Sequence, residues 1–350
     1  MSAAATRPTT VGILGLGSIG RSHAAALAAL ARDGADVRLV AASGGSAEAL
    51  RGAGWPDARH VTPTDLLTGG VPDVVAVATP SGRHAADAVA ALDAGADVVV
   101  EKPLATTTDD ATRVLEVAAA RRRRVYPIAQ RRLEAQHVAI RRLFDDGELG
   151  TLLLGEVLVP WRRDVAYYDA APWRREMPAG GSLMNQGLHS VDLLSWFLGP
   201  VASVTAQTAV LGDGGPAEDS AVVTLRATAG ALGIVATSTA TPPGDPARLT
   251  LRTTRGVIEL AHTDIVRWDV DGVPRPNASS EVAAGSNDPA AIGIAGHMQA
   301  WHDVLDARRA GREARVRAVD GWRTVALIDA AYRSAATGRR VDLPLPPVAA

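Results

Sequence analysis

Val11-Gly12-Ile13-Leu14-Gly15-Leu16-Gly17-Ser18-Ile19-Gly20 is the stretch that decides the fold. A short apolar strand runs into Gly-x-Gly-x-x-Gly, and a helical pattern follows at once. Gly15 permits the tight turn, Gly17 lets the backbone approach a pyrophosphate, and Gly20 lets the helix pack closely on the strand. Free amide donors and the positive end of the helix dipole favour a phosphate where the helix opens. The expected dinucleotide turn therefore consists of Gly15, Gly17, Ser18, Ile19 and Gly20.

Working outward, apolar runs predict strands at 11–14, 37–42, 74–78, 98–100 and 125–129, separated by helices at 18–31, 84–94 and 108–120. Short strands alternating with helices form βαβ units, so residues 1–130 are expected to fold as a Rossmann doubly wound parallel sheet. A helix at 131–144 leads to Gly147 and Gly150, and there the texture changes. Longer strands are expected at 152–159, 201–210, 220–228, 231–240, 249–254 and 257–260, interrupted by a helix at 183–198 and closed by helices at 297–310 and 321–336. Residues 131–345 thus read as a C-terminal α/β domain with a large, open, mostly antiparallel sheet, expected to bind substrate and to carry the oligomer contact. A bare sheet face usually finds a partner, which predicts a homodimer or homotetramer.

Composition narrows the partners. A chain of 350 residues that is 47% hydrophobic can bury two cores. Its formal net charge of −2 gives no basic field to attract nucleic acid or an anionic membrane surface. No apolar run approaches the roughly 20 residues that span a bilayer, and the first residues lack a signal-peptide pattern, so a cytoplasmic protein is expected. The absence of cysteine excludes disulfides, thiolate metal sites and a cysteine nucleophile. The histidines are scattered without metalloenzyme spacing, so no metal is expected. Four consecutive arginines, Arg121 to Arg124, close a helix and read as a solvated end suited to the dipole.

Of the 36 lysine and arginine residues, only Lys102 is a lysine. A bias that replaced lysine everywhere else spares this position only if arginine cannot do its work. Arginine stays charged at any usable pH, whereas a lysine amine can lose its proton. Lys102 lies within Glu101-Lys102-Pro103, directly after the apolar run 98–100, at the carboxyl end of a strand where ligands bind in open α/β sheets. An amine there could bond a substrate oxygen and, with its pKa lowered from about 10.4, relay the proton.

The second strand ends at Ser43-Gly44-Gly45-Ser46, with no carboxylate to repel a 2′-phosphate and two hydroxyls to bond one. NADP is therefore expected ahead of NAD, with Ser43 at the ribose; an ordinary Ser/Gly turn would select neither. Further along, Gly180 to Gly199 frames a helix with Ser182 as its expected N-cap. Asn185, His189 and Asp192 stand at i, i+4 and i+7, a polar stripe on an otherwise apolar helix and the expected substrate face. Arg162, Tyr167, Tyr168, Trp173 and Arg174 crowd the preceding loop, where aromatic faces and guanidinium forks suit a polyhydroxylated ring or its anionic appendage.

Together these segments resemble the family named for glucose-fructose oxidoreductase, inositol dehydrogenase and the rhizopine catabolism protein (Gfo/Idh/MocA). The resemblance rests on the glycine turn, Ala78-Thr79-Pro80 with His84, Ala94-Gly95 before Glu101-Lys102-Pro103, the Gly180-to-Gly199 helix, and Ala331-Tyr332-Arg333-Ser334 with Gly338. It implies a lysine at the position of Lys102 that is essential for hydride transfer, and a cofactor lying along Thr79, Pro80, His84, Glu101, Lys102 and Gln130. It also implies an NAD(P)-dependent oxidoreductase moving a hydride between the nicotinamide and a hydroxyl-bearing carbon of a sugar, sugar derivative or cyclitol. In the inositol-dehydrogenase branch the helix carries Asp-x-x-x-His; this chain has Asn185 in the aspartate's place. Asn185 should therefore bind substrate while His189 or Lys102 carries the proton, with Arg162, Tyr168, Trp173, Arg174 and Asp192 as further substrate contacts. Two alternatives share the fold: a non-catalytic dinucleotide-binding regulator, and a sugar-sugar oxidoreductase whose cofactor never dissociates.

Overall fold

The computed structural model describes residues 7–212, 214–278 and 293–347. The first unit comprises β1 Thr9–Leu14, α1 Ser18–Arg32, β2 Val37–Ser43, α2 Ala47–Gly52, β3 Arg59–His60, α3 Pro63–Thr68, β4 Val74–Val77, α4 His84–Asp93, β5 Asp97–Val100, α5 Thr108–Arg121 and β6 Val125–Pro127. Its strands pair in parallel in the order β3-β2-β1-β4-β5-β6, a doubly wound sheet with its crossover beside β1. β4 and β5 are buried at every position, as expected of valine-rich strands covered by helices on both faces.

The second unit continues with α6 Ala135–Asp145, β7 Leu152–Pro160, α7 Val165–Asp169, α8 Leu188–Leu198, β8 Val201–Ala209, β9 Ser220–Ala227, β10 Leu232–Ser238, β11 Arg248–Thr253, β12 Gly256–Ala261 and β13 Asp264–Val270. α9 Ala295–Ala310, α10 Ala318–Thr337 and β14 Val341–Asp342 end it. Eight strands form one open sheet, β13-β12-β11-β7-β10-β9-β8-β14, antiparallel except where β10 runs parallel to β7. Alternate residues of β9 are buried and exposed, so one face packs and the other is bare. The packed face holds Val157, Val223, Val235 and Leu251 against Leu194 of α8 and Leu327 of α10.

Three departures from the sequence reading matter for the site. The expected helix at 131–144 is a 3₁₀ turn, Gln130–Leu133, followed by α6, because Glu134 is extended between them. The expected helix at 183–198 begins as a π-helical turn, Ser182–Gly187, and becomes α-helical only from Leu188. Ser182 is not an N-cap; its hydroxyl is held by Glu218 and Thr237, both at 2.7 Å. Third, a division of the chain at residue 130 does not follow the packing. Trp301 of α9 is buried in the first core with Leu27, Tyr126 and Ala129, and Trp322 of α10 packs with Val114 and Leu104. Arg124 binds this arrangement by donating to the carbonyls of Gly311 and Arg312 at the end of α9. That arginine is thus a structural cap, whereas Arg121 pairs with Asp93 at the surface as a solvated helix end would.

Candidate active site

The glycine turn has the geometry its residues require. Gly15 lies at φ +93°, and a Cβ there would sit 2.6 Å from the Ala78 carbonyl oxygen. A Cβ on Gly20 would collide with the Gly15 carbonyl. Gly17 differs, because a Cβ would meet no protein atom within 4 Å. No packing demands glycine there, and the open space leaves room for a ligand to come close. Gly17, Ser18 and Ile19 are exposed, and no side chain caps the first amides of α1. These residues fit a dinucleotide pyrophosphate.

Several residues expected at the cofactor are spent inside the protein. Ser43 is buried, and its carbonyl accepts the Gly15 and Leu16 amides at 3.1 and 2.9 Å, so it braces the turn from behind. Ser46 caps α2 by accepting the Ala49 amide. His84 is buried with Nδ1 2.7 Å from the Pro103 carbonyl and Nε2 2.7 Å from the Thr79 carbonyl, clipping together the loops that follow β4 and β5. Thr79 donates to Asp87, and the exposed Pro80 leads into α4. The Glu101 carboxylate turns away from the cleft toward His23 and His297. Gln130 retains a buried Oε1 without a partner.

Across the cleft, Lys102 Nζ donates to the Asn185 carbonyl at 2.6 Å and reaches Asn185 Oδ1 at 3.4 Å. The end of β5 therefore meets the π-helical turn. Burial lowers the Lys102 pKa; Glu101 opposes the shift, while Arg174 and Arg163 add to it. His189 lies one turn beyond, its pKa pushed down to about 3 by burial first and then by Lys102 and Arg131. Its Nδ1 is buried without a partner. A neutral imidazole and an amine whose pKa is lowered by burial thus lie close to each other.

The loop before the turn supplies a cationic and aromatic wall. Tyr167 OH accepts from Asn185 Nδ2 at 3.2 Å and from Gln186 Nε2 at 2.5 Å. Arg163 donates to Gln186 Oε1 at 3.0 Å. The Arg174 guanidinium stacks 4.0 Å from the Tyr167 ring centre, donates to the Tyr167 carbonyl, and leaves its Nε buried without a partner. Trp173 flanks Arg174 from the other side at 5.8 Å.

Three expected substrate contacts are corrected. The Asp192 carboxylate is buried and held by Arg132 at 2.7 and 2.8 Å and by Thr324 at 2.7 Å. The polar stripe therefore splits, and Asp192 ties α8 to the 3₁₀ turn and α10. Tyr168 is buried with its hydroxyl on Thr239, and Arg162 forms an isolated bridge to Ala240. The neighbours Tyr167 and Arg163 instead bond Asn185 and Gln186. Arg163, Gln186 and Arg131 were missed. One signal could have found Arg163: the inward alternation of β7 at Val157 and Val159, continued in steps of two, reaches it.

A glycine-turn cradle and a lone amine at the carboxyl ends of one parallel sheet, with an imidazole from the open-sheet unit beside the amine, define a nicotinamide-dependent dehydrogenase or reductase. Residues 9–128 match the model of the oxidoreductase family with NAD-binding Rossmann fold, and residues 137–259 match the Gfo/Idh/MocA C-terminal domain. The WlbA dehydrogenase of Bordetella pertussis, solved with NADH and UDP-GlcNAcA, is similar at 32% identity and TM-score 0.85 over 97% of this chain and all of that one. WlbA of Chromobacterium violaceum, solved with the same two ligands, is similar at 29% identity and TM-score 0.86 over 99% of each chain. Inositol 2-dehydrogenase of Rhizobium meliloti (strain 1021) is 28% identical over 95% of this chain and 98% of its own. The chain belongs to the Gfo/Idh/MocA family. It is an NAD(P)-dependent oxidoreductase of hydroxyl-bearing carbons in sugars and their derivatives. Among the described residues no helix is long and apolar enough to cross a membrane.

Proposed function

We propose that this dehydrogenase acts on a sugar derivative bearing an anionic group. One arrangement carries the reading: Lys102 donates to Asn185, Arg163 donates to Gln186, and Arg174 stacks on Tyr167, whose hydroxyl accepts from both Asn185 and Gln186. Like charges converge where a ligand supplies the opposite sign, and arginine forks suit carboxylate or phosphate oxygens. The WlbA relatives solved with UDP-GlcNAcA support the same substrate class.

Gly15, Gly17, Ser18, Ile19 and Gly20 would hold the dinucleotide's pyrophosphate, and the nicotinamide would supply or accept the hydride. Lys102 Nζ bonds the reacting oxygen, and Asn185 orients the substrate without titrating. With its pKa near 3, His189 is neutral in ordinary buffers and can only accept a proton. As so weak a base it accepts a hydrogen bond from the substrate, while Lys102 takes the alcohol's proton in oxidation as the neutral amine and returns it in carbonyl reduction as the ammonium.

Both nicotinamide cofactors should be accepted, with NADP favoured by the lack of a carboxylate at the end of β2. Ser43 is too buried to report on this, so Ser46→Asp is the useful variant and should move the kcat/KM ratio toward NAD. The exposed outer sheet face, with Leu158, Val222, Leu232 and Ile234, supports a homodimer or homotetramer. Light scattering of Val222→Arg tests it, and an unchanged mass would remove that face from the contact.

The deciding experiment compares uronic acids and nucleotide-linked uronates with their neutral parents and with inositols, following nicotinamide absorbance with NAD and NADP. The anionic members should show the higher kcat/KM. Faster turnover of the neutral parents would overturn the reading.

A further inference from the structure

Beneath Lys102 lies a fully enclosed polar cluster that none of the steps above uses. Glu101 Oε1 accepts from two imidazoles on two different helices, His23 Nε2 of α1 at 2.9 Å and His297 Nε2 of α9 at 3.0 Å. Glu101 Oε2 accepts the Lys102 backbone amide at 3.0 Å. Trp301 Nε1 donates to His23 Nδ1 at 2.9 Å. The two histidine rings meet edge to face at 4.7 Å, and all four side chains are buried.

Two histidines and a carboxylate with their ligating atoms this close could suggest a metal. The tryptophan argues against it. Because Trp301 donates to Nδ1, the proton of neutral His23 sits on Nε2, which leaves no lone pair there for a cation. A ligating histidine instead donates from its second nitrogen.

The cluster does have a route to the reaction. Burial alone would raise the Glu101 pKa, but the hydrogen bonds from His23 and His297 overcome this and hold it well below the usual carboxylate range. Around Lys102, burial and the guanidinium groups of Arg174 and Arg163 favour the neutral amine, and Glu101 is the anion that opposes them. His189, which feels the Lys102 charge, also lies beside it, and the Tyr167 hydroxyl is held on the same Asn185 side chain.

We propose that His23 and His297 are positioning residues for Lys102: by donating to one oxygen of Glu101, they fix its other oxygen on the Lys102 amide and its negative charge beside the amine. Two helices thereby set both the place of the amine and its readiness to hold a proton. The idea rests on the reading of Lys102 as a proton-carrying residue, and its test must separate the two.

The chain itself provides the readout, because Lys102 is its only lysine. Growth on ¹³C-lysine labels one side chain, whose titration can be followed by NMR without substrate or cofactor. Glu101→Gln should lower the Lys102 midpoint most, and His297→Leu should lower it by about one pH unit. His297→Gln, which keeps an N–H donor at the position of Nε2, should restore it. In steady-state assays His297→Leu should lower kcat at least about 10-fold, move the pH limb of kcat/KM with the NMR midpoint, and leave dinucleotide affinity within about threefold. An unmoved midpoint in folded His297→Leu, or equal effects of Leu and Gln, would overturn the proposal. If Lys102→Ala still turns over at a near-normal rate, the failure lies in the reading of Lys102, whatever the His297 variants do.

Discussion

The two walls of the cleft are built on different principles. The dinucleotide wall is one continuous turn, Gly15 to Gly20, whose parts are backbone amides and missing side chains. The other wall draws Lys102 from the first unit and Arg131, Arg163, Tyr167, Arg174, Asn185 and His189 from the second, five separate segments in all. A backbone site is specified where it stands. A side-chain site exists only once distant segments have packed, so its chemistry is tuned by burial and by neighbours far away in sequence. The first wall should therefore fail through steric change at a single residue, the second through loss of charge or of a titrating group.

The largest expected effect is on the assembled wall. Lys102→Ala and Lys102→Arg should each lower kcat by at least roughly 10²-fold while dinucleotide binding, read by fluorescence titration, stays near normal. A Lys102→Arg enzyme with normal kcat would show that only charge is needed. His189→Ala should lower kcat about 10-fold or more in both directions, whereas Asn185→Ala should mainly raise KM. Since the His189 pKa lies near 3, no limb of the pH profile near 6.5 should belong to it. A limb at that pH lost only in His189→Ala would mean that substrate binding restores the imidazole to its ordinary value.

The glycine wall can be broken in two distinguishable ways. A methyl group on Gly17 meets no protein atom within 4 Å, so Gly17→Ala should fold with unchanged Tm yet bind dinucleotide roughly 10- to 100-fold more weakly, about 1–3 kcal/mol. A methyl group on Gly20 meets the Gly15 carbonyl, so Gly20→Ala should cost about 3 kcal/mol of stability. Equal melting temperatures for the two variants would contradict this division of labour.

The cationic wall gives a substrate-selective effect. Arg174→Met keeps the stacked stem and removes the charge; KM for a uronate should rise about 10-fold or more while that for its neutral parent changes little. A parallel rise for both would make Arg174 a packing residue.

The smallest effect is on stability. The folded His189 pKa is depressed from 6.5 to about 3, so the folded state holds fewer protons in that window. The associated stability is complete above pH 6.5 and is lost as pH falls toward 3, at about 1.4 kcal/mol per pH unit. Between pH 7 and pH 5, His189→Gln should lose about 2 kcal/mol less than the parent chain in urea unfolding. An equal loss would mean that His189 is solvated in the folded state.

What the sequence determined by itself is what local chemistry encodes. The glycine turn, the alternation of buried strands and helices through β6 apart from the short α2, β3 and α3, and the unique Lys102 at a strand's end were legible, because each depends on residues close together in the chain. Tertiary structure decided which of two adjacent residues faces the cleft. Arg163 and Tyr167 rather than Arg162 and Tyr168 line it, since the inward face follows from where β7 and the loop pack. Tertiary structure likewise took Asp192 from the expected stripe, because Arg132 and Thr324 arrive from two other segments to claim it. It brought α9 back from the far end of the chain to set His297 against Glu101. Orientation, burial and charge balance are properties of neighbours in space, and a sequence lists only neighbours along the chain.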